Sequence, residues 1–231
     1  MIAAAVFDLD GTLVDTAPDL VATLNTVFAR EGLPPVAYEA ARNMVGGGAR
    51  HMIERGLAAE RRSLPVAEID RLCRDFIDHY AAHIADRSRP FPGLEAALDE
   101  LAGHGLSLIV CTNKLEWLSV RLLDALGLSS RFVAICGADT FGLKKPDPEL
   151  LRRTLGRAGA RAERAVMVGD SANDVDMARA AGVPVVAVDF GYTETPASEL
   201  NADLVISAFR DLPKAIFGLL GNPVGARAET T

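Results

Sequence analysis

Ala3-Ala4-Ala5-Val6-Phe7-Asp8-Leu9-Asp10-Gly11-Thr12-Leu13-Val14-Asp15 is the stretch on which the reading of this chain turns. Its apolar residues run without a polar break into two aspartates. A continuous apolar run marks a strand covered on both faces, whereas a half-exposed strand alternates. Asp8 and Asp10 then stand at the carboxyl end of that strand, the edge of an open α/β sheet where ligands bind. Two carboxylates against an apolar strand repel each other and lose hydration, so a cation or a raised pKa must offset them. A plain surface turn also fits Asp10-Gly11, because Asp-Gly is a common turn dipeptide.

Similar apolar runs recur at 106–111, 132–136, 165–168, 184–188 and 204–206. Helical patterns separate the later ones, as in Leu115, Leu118, Leu122 and Leu126, and Gly105, Gly127, Gly159 and Gly182 stand where helices should stop. Buried strands alternating with helices predict an α/β fold, a doubly wound parallel sheet of Rossmann-like type. From about 18 to 88 no strand pattern occurs. Leu20, Leu24, Val27 and Phe28 make one helical face, with Thr16 and Asp19 as a capping pair at its start, and Ile69, Leu72, Phe76, Tyr80 and Ile84 make another. Arg89-Pro90-Phe91-Pro92-Gly93 reads as the hinge that closes this insertion. The expected organisation is therefore a core of residues 1–16 and 89–221, an inserted α-helical cap at 17–88, and a flexible tail at 222–231.

The chain has 231 residues, 49% hydrophobic and 24% charged, enough for one large domain or a core with an insertion. With 31 acidic against 24 basic residues the net charge is −7, which argues against nucleic acid or an anionic membrane as the partner. A small phosphorylated metabolite stays compatible, because one local cation reverses the field inside a cleft. Cys73, Cys111 and Cys136 are too few and scattered for a disulfide framework, and the last two read as buried strand residues. Acids interrupt the first apolar stretch too early for a signal peptide or a membrane span, so a reducing, cytoplasmic setting is expected.

Three further pieces carry chemistry. Val168-Gly169-Asp170-Ser171-Ala172-Asn173-Asp174 follows a strand, so Asp170 reaches the same sheet edge as Asp8, and Asp174 lies one helical turn on. Carboxylates converging from different strand ends suit a hard divalent cation, most plainly Mg²⁺, although an acidic helix N-terminus is often purely structural. Cys111-Thr112-Asn113-Lys114 brings a hydroxyl and an amide to a third strand end, where they are suited to phosphoryl oxygens or to a helix cap. Gly142-Leu143-Lys144-Lys145-Pro146-Asp147-Pro148 is a loop whose lysine can neutralise a phosphoryl group or simply be solvated.

In this order, each at a strand end and with a helical insertion after the first, these pieces resemble the haloacid dehalogenase-like hydrolase superfamily over nearly the whole chain. The resemblance implies that Asp8 attacks phosphorus to form an aspartyl-phosphate, and that Asp10 protonates the leaving alcohol and then deprotonates the hydrolytic water. It implies that Thr112, Asn113 and Lys145 hold the phosphoryl. It further implies Mg²⁺ on the Asp8 side chain, the Asp10 backbone carbonyl and Asp170, with Asp174 a ligand or a support.

Asp10 speaks for a phosphatase, since dehalogenases of the superfamily lack that second aspartate. No lysine precedes Lys114, so the insertion has none to form the Schiff base of a phosphonoacetaldehyde hydrolase. The extended first motif through Leu20, the stretch Val45-Gly46-Gly47-Gly48-Ala49-Arg50 and the Thr112-Asn113-Lys114 triplet are similar to the phosphoglycolate phosphatase group. The expected activity is a Mg²⁺-dependent phosphatase for small monoesters, led by 2-phosphoglycolate. Arg50 is the candidate cation for its carboxylate and Arg55 a weaker one. Gly46–Gly48 reads as a substrate loop or as a helix–helix turn. His79 and His83, at i, i+4, lack a third metal ligand and read as cap surface. The rivals are a phosphatase for a sugar phosphate, amino-sugar phosphate, nucleotide or pyrophosphate, a sugar phosphomutase on the same framework, and a non-catalytic binding protein. Whether the chain is a monomer or a homodimer is left open.

Overall fold

The computed structural model of the chain describes residues 3–192 and 195–221, so the expected tail at 222–231 lies outside the described residues. Strands β1 (Ala4–Phe7), β2 (Val14–Asp15), β3 (Arg89–Pro90), β4 (Ser107–Cys111) and β5 (Ala134–Cys136) make up the first part of the fold, with helices after β2, β3 and β4. Strands β6 (Ala165–Gly169), β7 (Val185–Val188) and β8 (Leu204–Ile206) complete it. All but β2 and β3 form one parallel sheet in the order β5-β4-β1-β6-β7-β8. Each of the six expected apolar runs is a strand. The run at 132–136 starts pairing only at Ala134, because Phe132 closes a 3₁₀ turn and packs edge-on against Phe7.

Strand β1 sits at the centre, with Phe7 opposite both Val110 and Val168. The chain leaves β1 toward β4 on one side and returns to β6 on the other, which makes the carboxyl end of β1 a topological switch point. Side chains alternate across the sheet, so Ala5 and Phe7 enter one apolar cluster while Ala4 and Val6 enter the other. Helices α7 (Pro148–Arg157) and α8 (Ala172–Ala181) cover the second face, and α5 (Leu94–Gly103), α6 (Glu116–Ala125) and α9 (Leu212–Gly221) the first. Each fully buried aromatic or branched side chain there contributes on the order of 2 kcal/mol. Cys111 and Cys136 lie opposite each other in the sheet as buried free thiols.

Between β2 and β3 come only helices: α1 (Ala17–Arg30), α2 (Tyr38–Arg42), α3 (Ala49–Ala59) and α4 (Val66–Ala82). The faces read from the sequence are largely the buried ones, Leu20, Leu24, Val27 and Phe28 on α1 and Leu72, Phe76 and Tyr80 on α4. Ile69 is only partly buried at the start of α4, and Ile84 is buried but lies beyond the helix end. The ribbon of β2 and β3, with Val14 opposite Pro90 and Asp15 opposite Arg89, joins the two connecting segments. It is too short to leave a periodic signature in the sequence. The capping pair expected at Thr16 and Asp19 is not formed. The Thr16 hydroxyl donates instead to Asp10 Oδ1 at 2.7 Å. The Asp19 carboxylate, 3% exposed, accepts from the backbone N–H groups of Arg87 and Ser88 and from the Ser88 hydroxyl at 2.7 Å. A long-range bond to two chain crossings satisfies more buried donors than a local cap, so the carboxylate serves the hinge.

Candidate active site

Three strand ends and the first turn of a helix supply the buried polar groups. Asp8 leaves β1 with its N–H still bonded to Val168 O at 2.9 Å, and Thr112 leaves β4 bonded to Cys136 O at 3.0 Å. Asp170 follows β6, and Asp174 lies in the first turn of α8. One carboxylate oxygen from each of Asp8, Asp170 and Asp174 lies within 4.8 Å of the others, and all three residues are buried. Among the described residues this is the one such grouping of acids, histidines or cysteines.

Lys145 binds the cluster together. Its Nζ lies 2.7 Å from Asp8 Oδ1 and 2.6 Å from Asp174 Oδ1. Burial opposes its charge, but Asp174 and Asp8 outweigh that and hold the ammonium above the ordinary lysine range. The other Asp174 oxygen accepts from Ser171 N–H at 3.1 Å and from the Ser171 hydroxyl at 2.6 Å. Asp170 accepts from the Thr12 hydroxyl at 2.9 Å and from Tyr192 N–H at 2.8 Å.

Two glycines make room for that carboxylate. Gly11 has a φ of +87°, and a Cβ there meets Asp170 Oδ2 at 2.5 Å; one on Gly191 meets the Asp170 Cβ at 2.2 Å. Burial, then Lys145 opposing it and Asp174 adding to it, leaves the Asp8 carboxyl raised to about 6. Burial, then Asp8 and Asp174, push Asp170 up to about 8. Carboxylates pressed together against their charge, with oxygens as the sole donors, fit a hard divalent cation, which removes the repulsion.

Asp10 faces the same space from a different set of partners. Lys114 Nζ donates to both of its oxygens, at 3.0 and 2.9 Å, with both side chains buried. The ammonium stands 4.5 Å from the centre of the Tyr80 ring, which α4 brings down from above. Burial and then Asp10 hold the Tyr80 phenol well above its usual range, so its O–H is a donor, and it has no partner among the described residues.

The other expected residues take the following places. Thr112 is buried and accepts from Lys114 N–H at 3.2 Å. Asn113 accepts from Lys145 N–H at 2.9 Å and donates to Gly46 O at 3.2 Å, tying the glycine loop to the lysine loop. Arg50 borders the cavity, yet its side chain is 43% exposed and its guanidinium is bound to Glu54 and Asp70. Arg55 donates to Asn43 O at 3.2 Å. His79 and His83 stack at 4.5 Å, His79 with the Thr23 hydroxyl at 3.2 Å and His83 with Asp86 at 2.8 Å.

A cavity of about 210 Å³ runs from Asp8 and Asp10 upward between core and inserted helices. Its floor is polar, with Thr112, Asn113 and Lys114, and its roof is largely apolar, with Leu20, Met52, Phe76 and Tyr80. Gly46 and Gly48 line it as well, so the glycine loop is at once a helix–helix connection and part of the wall.

Sequence reasoning missed Lys114, Tyr80, Tyr192 and Thr12. Lys114 was signalled by its place in a strand-end triplet, and Tyr80 only by its apolar face. Tyr192, 22 residues from Asp170, gives no local sign. Its hydroxyl donates to Asp15 and accepts from Ala17 N–H at 3.0 Å, while Arg42 of α2 lies 4.9 Å from its ring centre. No helix of the described residues is long and apolar enough to cross a membrane.

Residues 5–188 match the family described as haloacid dehalogenase-like hydrolase. The chain is 52% identical to a phosphoglycolate phosphatase of Caulobacter vibrioides over 94% of its own length and 92% of the relative's. It is 49% identical to one of Agrobacterium fabrum, covering 97% and 96%. The fold superposes with a TM-score of 0.87 on the crystal structure of a predicted phosphoglycolate phosphatase from Haemophilus somnus, at 28% identity, covering 93% and 97% of the two chains.

Proposed function

The chain belongs to the haloacid dehalogenase-like hydrolases, and on that premise we propose that it is a Mg²⁺-dependent phosphatase whose leading substrate is 2-phosphoglycolate. The observation that carries the reading is the buried grouping of Asp8, Asp170 and Asp174, two of them on the Lys145 ammonium, in a chain about half identical to phosphoglycolate phosphatases. Phosphoryl transfer asks for in-line positioning and charge neutralisation, and this floor offers both.

Asp8 is the nucleophile: its oxygen forms a bond to phosphorus as the bond from phosphorus to the ester oxygen breaks, leaving an aspartyl-phosphate. Asp10 gives its proton to the departing alkoxide oxygen. Deprotonated, it takes a proton from the water that then attacks phosphorus, and Asp8 leaves as a carboxylate. Lys145 and the Thr112 hydroxyl neutralise and orient the phosphoryl oxygens, and Asn113 fixes the Lys145 backbone. Asp8, Asp170 and the Asp10 carbonyl hold the cation, with Asp174 supporting Lys145 and the cation site. When bound, Mg²⁺ supplies positive charge that lets an anionic nucleophile approach an anionic ester. The inserted helices, read as a cap over residues 17–88, admit substrate and exclude bulk water when closed. The free thiols of Cys111 and Cys136 fit a cytoplasmic setting.

Phosphate release from a panel of monoesters, with Mg²⁺ and with chelator, tests the reading. The expected result is chelator-sensitive release with kcat/KM for 2-phosphoglycolate about a hundredfold above sugar phosphates and nucleotides. A sugar phosphate or nucleotide winning discards the substrate, and transfer of the phosphoryl to a sugar without net release discards the hydrolase in favour of a mutase.

A further inference from the structure

The substrate proposed above carries a carboxylate as well as a phosphate, and its recognition needs a cation in the cavity wall. Arg50 is engaged with Glu54 and Asp70 at the surface. Lys144 borders the cavity from an exposed position, where solvent and salt screen it. Lys145 is taken by Asp8 and Asp174. Lys114 differs from all three. It is buried, it lines the cavity, and of its three N–H donors two go to Asp10 while the third has no acceptor among the described residues.

Tyr80 supplies the second observation. The residue is 1% exposed, its hydroxyl has no hydrogen-bond partner among the described residues, and it lines the same cavity beside Lys114. A buried orphan hydroxyl costs stability, and sites of ligand recognition are where such a cost is offset by function. The surrounding wall is formed by Leu20, Met52 and Phe76, which have nothing to offer an anion.

We propose that Lys114 and Tyr80 together form the specificity subsite, with the Lys114 ammonium and the Tyr80 hydroxyl both donating to the carboxylate of the substrate. The proposal rests on the phosphoglycolate reading and places substrate choice at a core–cap pair in place of Arg50. It makes Tyr80 the group that the cap adds to the site: α4 carries it onto Lys114, so the subsite is complete only when cap and core meet as they do here.

The test compares kcat/KM for 2-phosphoglycolate with that for 2-hydroxyethyl phosphate, which is nearly the same size and has a neutral hydroxyl in place of the carboxylate. The expected preference of the parent enzyme falls about 100-fold in Lys114→Met and about tenfold in Tyr80→Phe, as lost hydrogen bonds to a charged group require. In Tyr80→Phe the change lies chiefly in KM, whereas Lys114→Met also lowers kcat on both substrates because Asp10 loses its ammonium partner, so the preference ratio is the readout. Lys114→Arg restores part of the preference. Lys144→Met shifts it by no more than about twofold. Tyr80→Phe guards against a folding artefact: it removes an unpartnered hydroxyl and leaves no protein group unsatisfied, so its Tm matches or exceeds the parent's. Proportional losses on both substrates in Lys114→Met and Tyr80→Phe, leaving the preference intact, overturn the proposal while the substrate reading stands. Collapse of the preference in Lys144→Met overturns it in the same way. A parent enzyme with no preference for the carboxylate overturns the substrate reading, and this subsite with it.

Discussion

The ammonium of Lys145 lies 2.7 Å from Oδ1 of Asp8, so the proposed nucleophile and the cation proposed to neutralise the phosphoryl are in direct contact. The second contact, to Asp174 at 2.6 Å, fixes the lysine from behind. Preorganised charge of this kind needs no rearrangement during reaction. Lys145→Met is predicted to lower kcat by at least about 10³-fold. It also leaves two buried carboxylates without their cation, a loss of about 3–5 kcal/mol. Steady-state kinetics beside chemical denaturation check both; a variant that keeps a tenth of the parent kcat contradicts the role.

Stability should respond to pH and metal together. Burial, then Asp8 and Asp174, raise Asp170 from 3.8 to about 8, and burial raises Asp8 from 3.8 to about 6. Across that window the folded protein holds protons that the unfolded chain has released. The contribution is full below the unfolded value and is lost as pH rises through the folded values, so the chelated protein loses Tm over this range. A divalent cation binds the ionised carboxylates, so saturating Mg²⁺ raises Tm more at pH ~8 than at pH ~5. Equal shifts at the two pH values would show that these carboxylates do not receive the metal.

Asp19 joins the start of α1 to the segment that re-enters the core, accepting from Arg87 N–H, Ser88 N–H and the Ser88 hydroxyl. Asp19→Ala strands those buried donors and is predicted to cost about 2–4 kcal/mol. Urea unfolding measures it. A loss under 1 kcal/mol, which is typical of an exposed pair, would mean that the carboxylate is solvated in solution.

For Arg50 the exposed pairing with Glu54 and Asp70 sets a low ceiling. Arg50→Ala is predicted to reduce kcat/KM for 2-phosphoglycolate by about threefold, within the range of a surface ion pair. A fall of about a hundredfold would instead make Arg50 the carboxylate receptor.

What the sequence made legible follows from how local each signal is. The six strands were readable because a strand buried on both faces must be continuously apolar, and Asp8, Asp170 and Thr112 because they directly follow such runs. The inserted helices showed in the spacing of Leu72, Phe76 and Tyr80. Partnerships across the chain were not legible. The Thr16 hydroxyl and the Asp19 carboxylate look like a helix cap in sequence, yet one serves Asp10 and the other serves residues 87 and 88. Arg50 was attractive as a cation near a glycine loop, but Asp70, which occupies it, comes from the next helix. Tyr80 reads as one more apolar-face residue, and only packing reveals that its hydroxyl has no partner among the described residues.

The most direct test of the account is a rapid acid quench of the Mg²⁺-loaded enzyme with ³²P-labelled 2-phosphoglycolate, followed by mapping of the label. The account predicts a transient label on the peptide containing Asp8, formed before inorganic phosphate and absent from a folded Asp8→Asn variant that no longer turns over. Turnover by Asp8→Asn, or parent turnover with the label on another peptide, would contradict it.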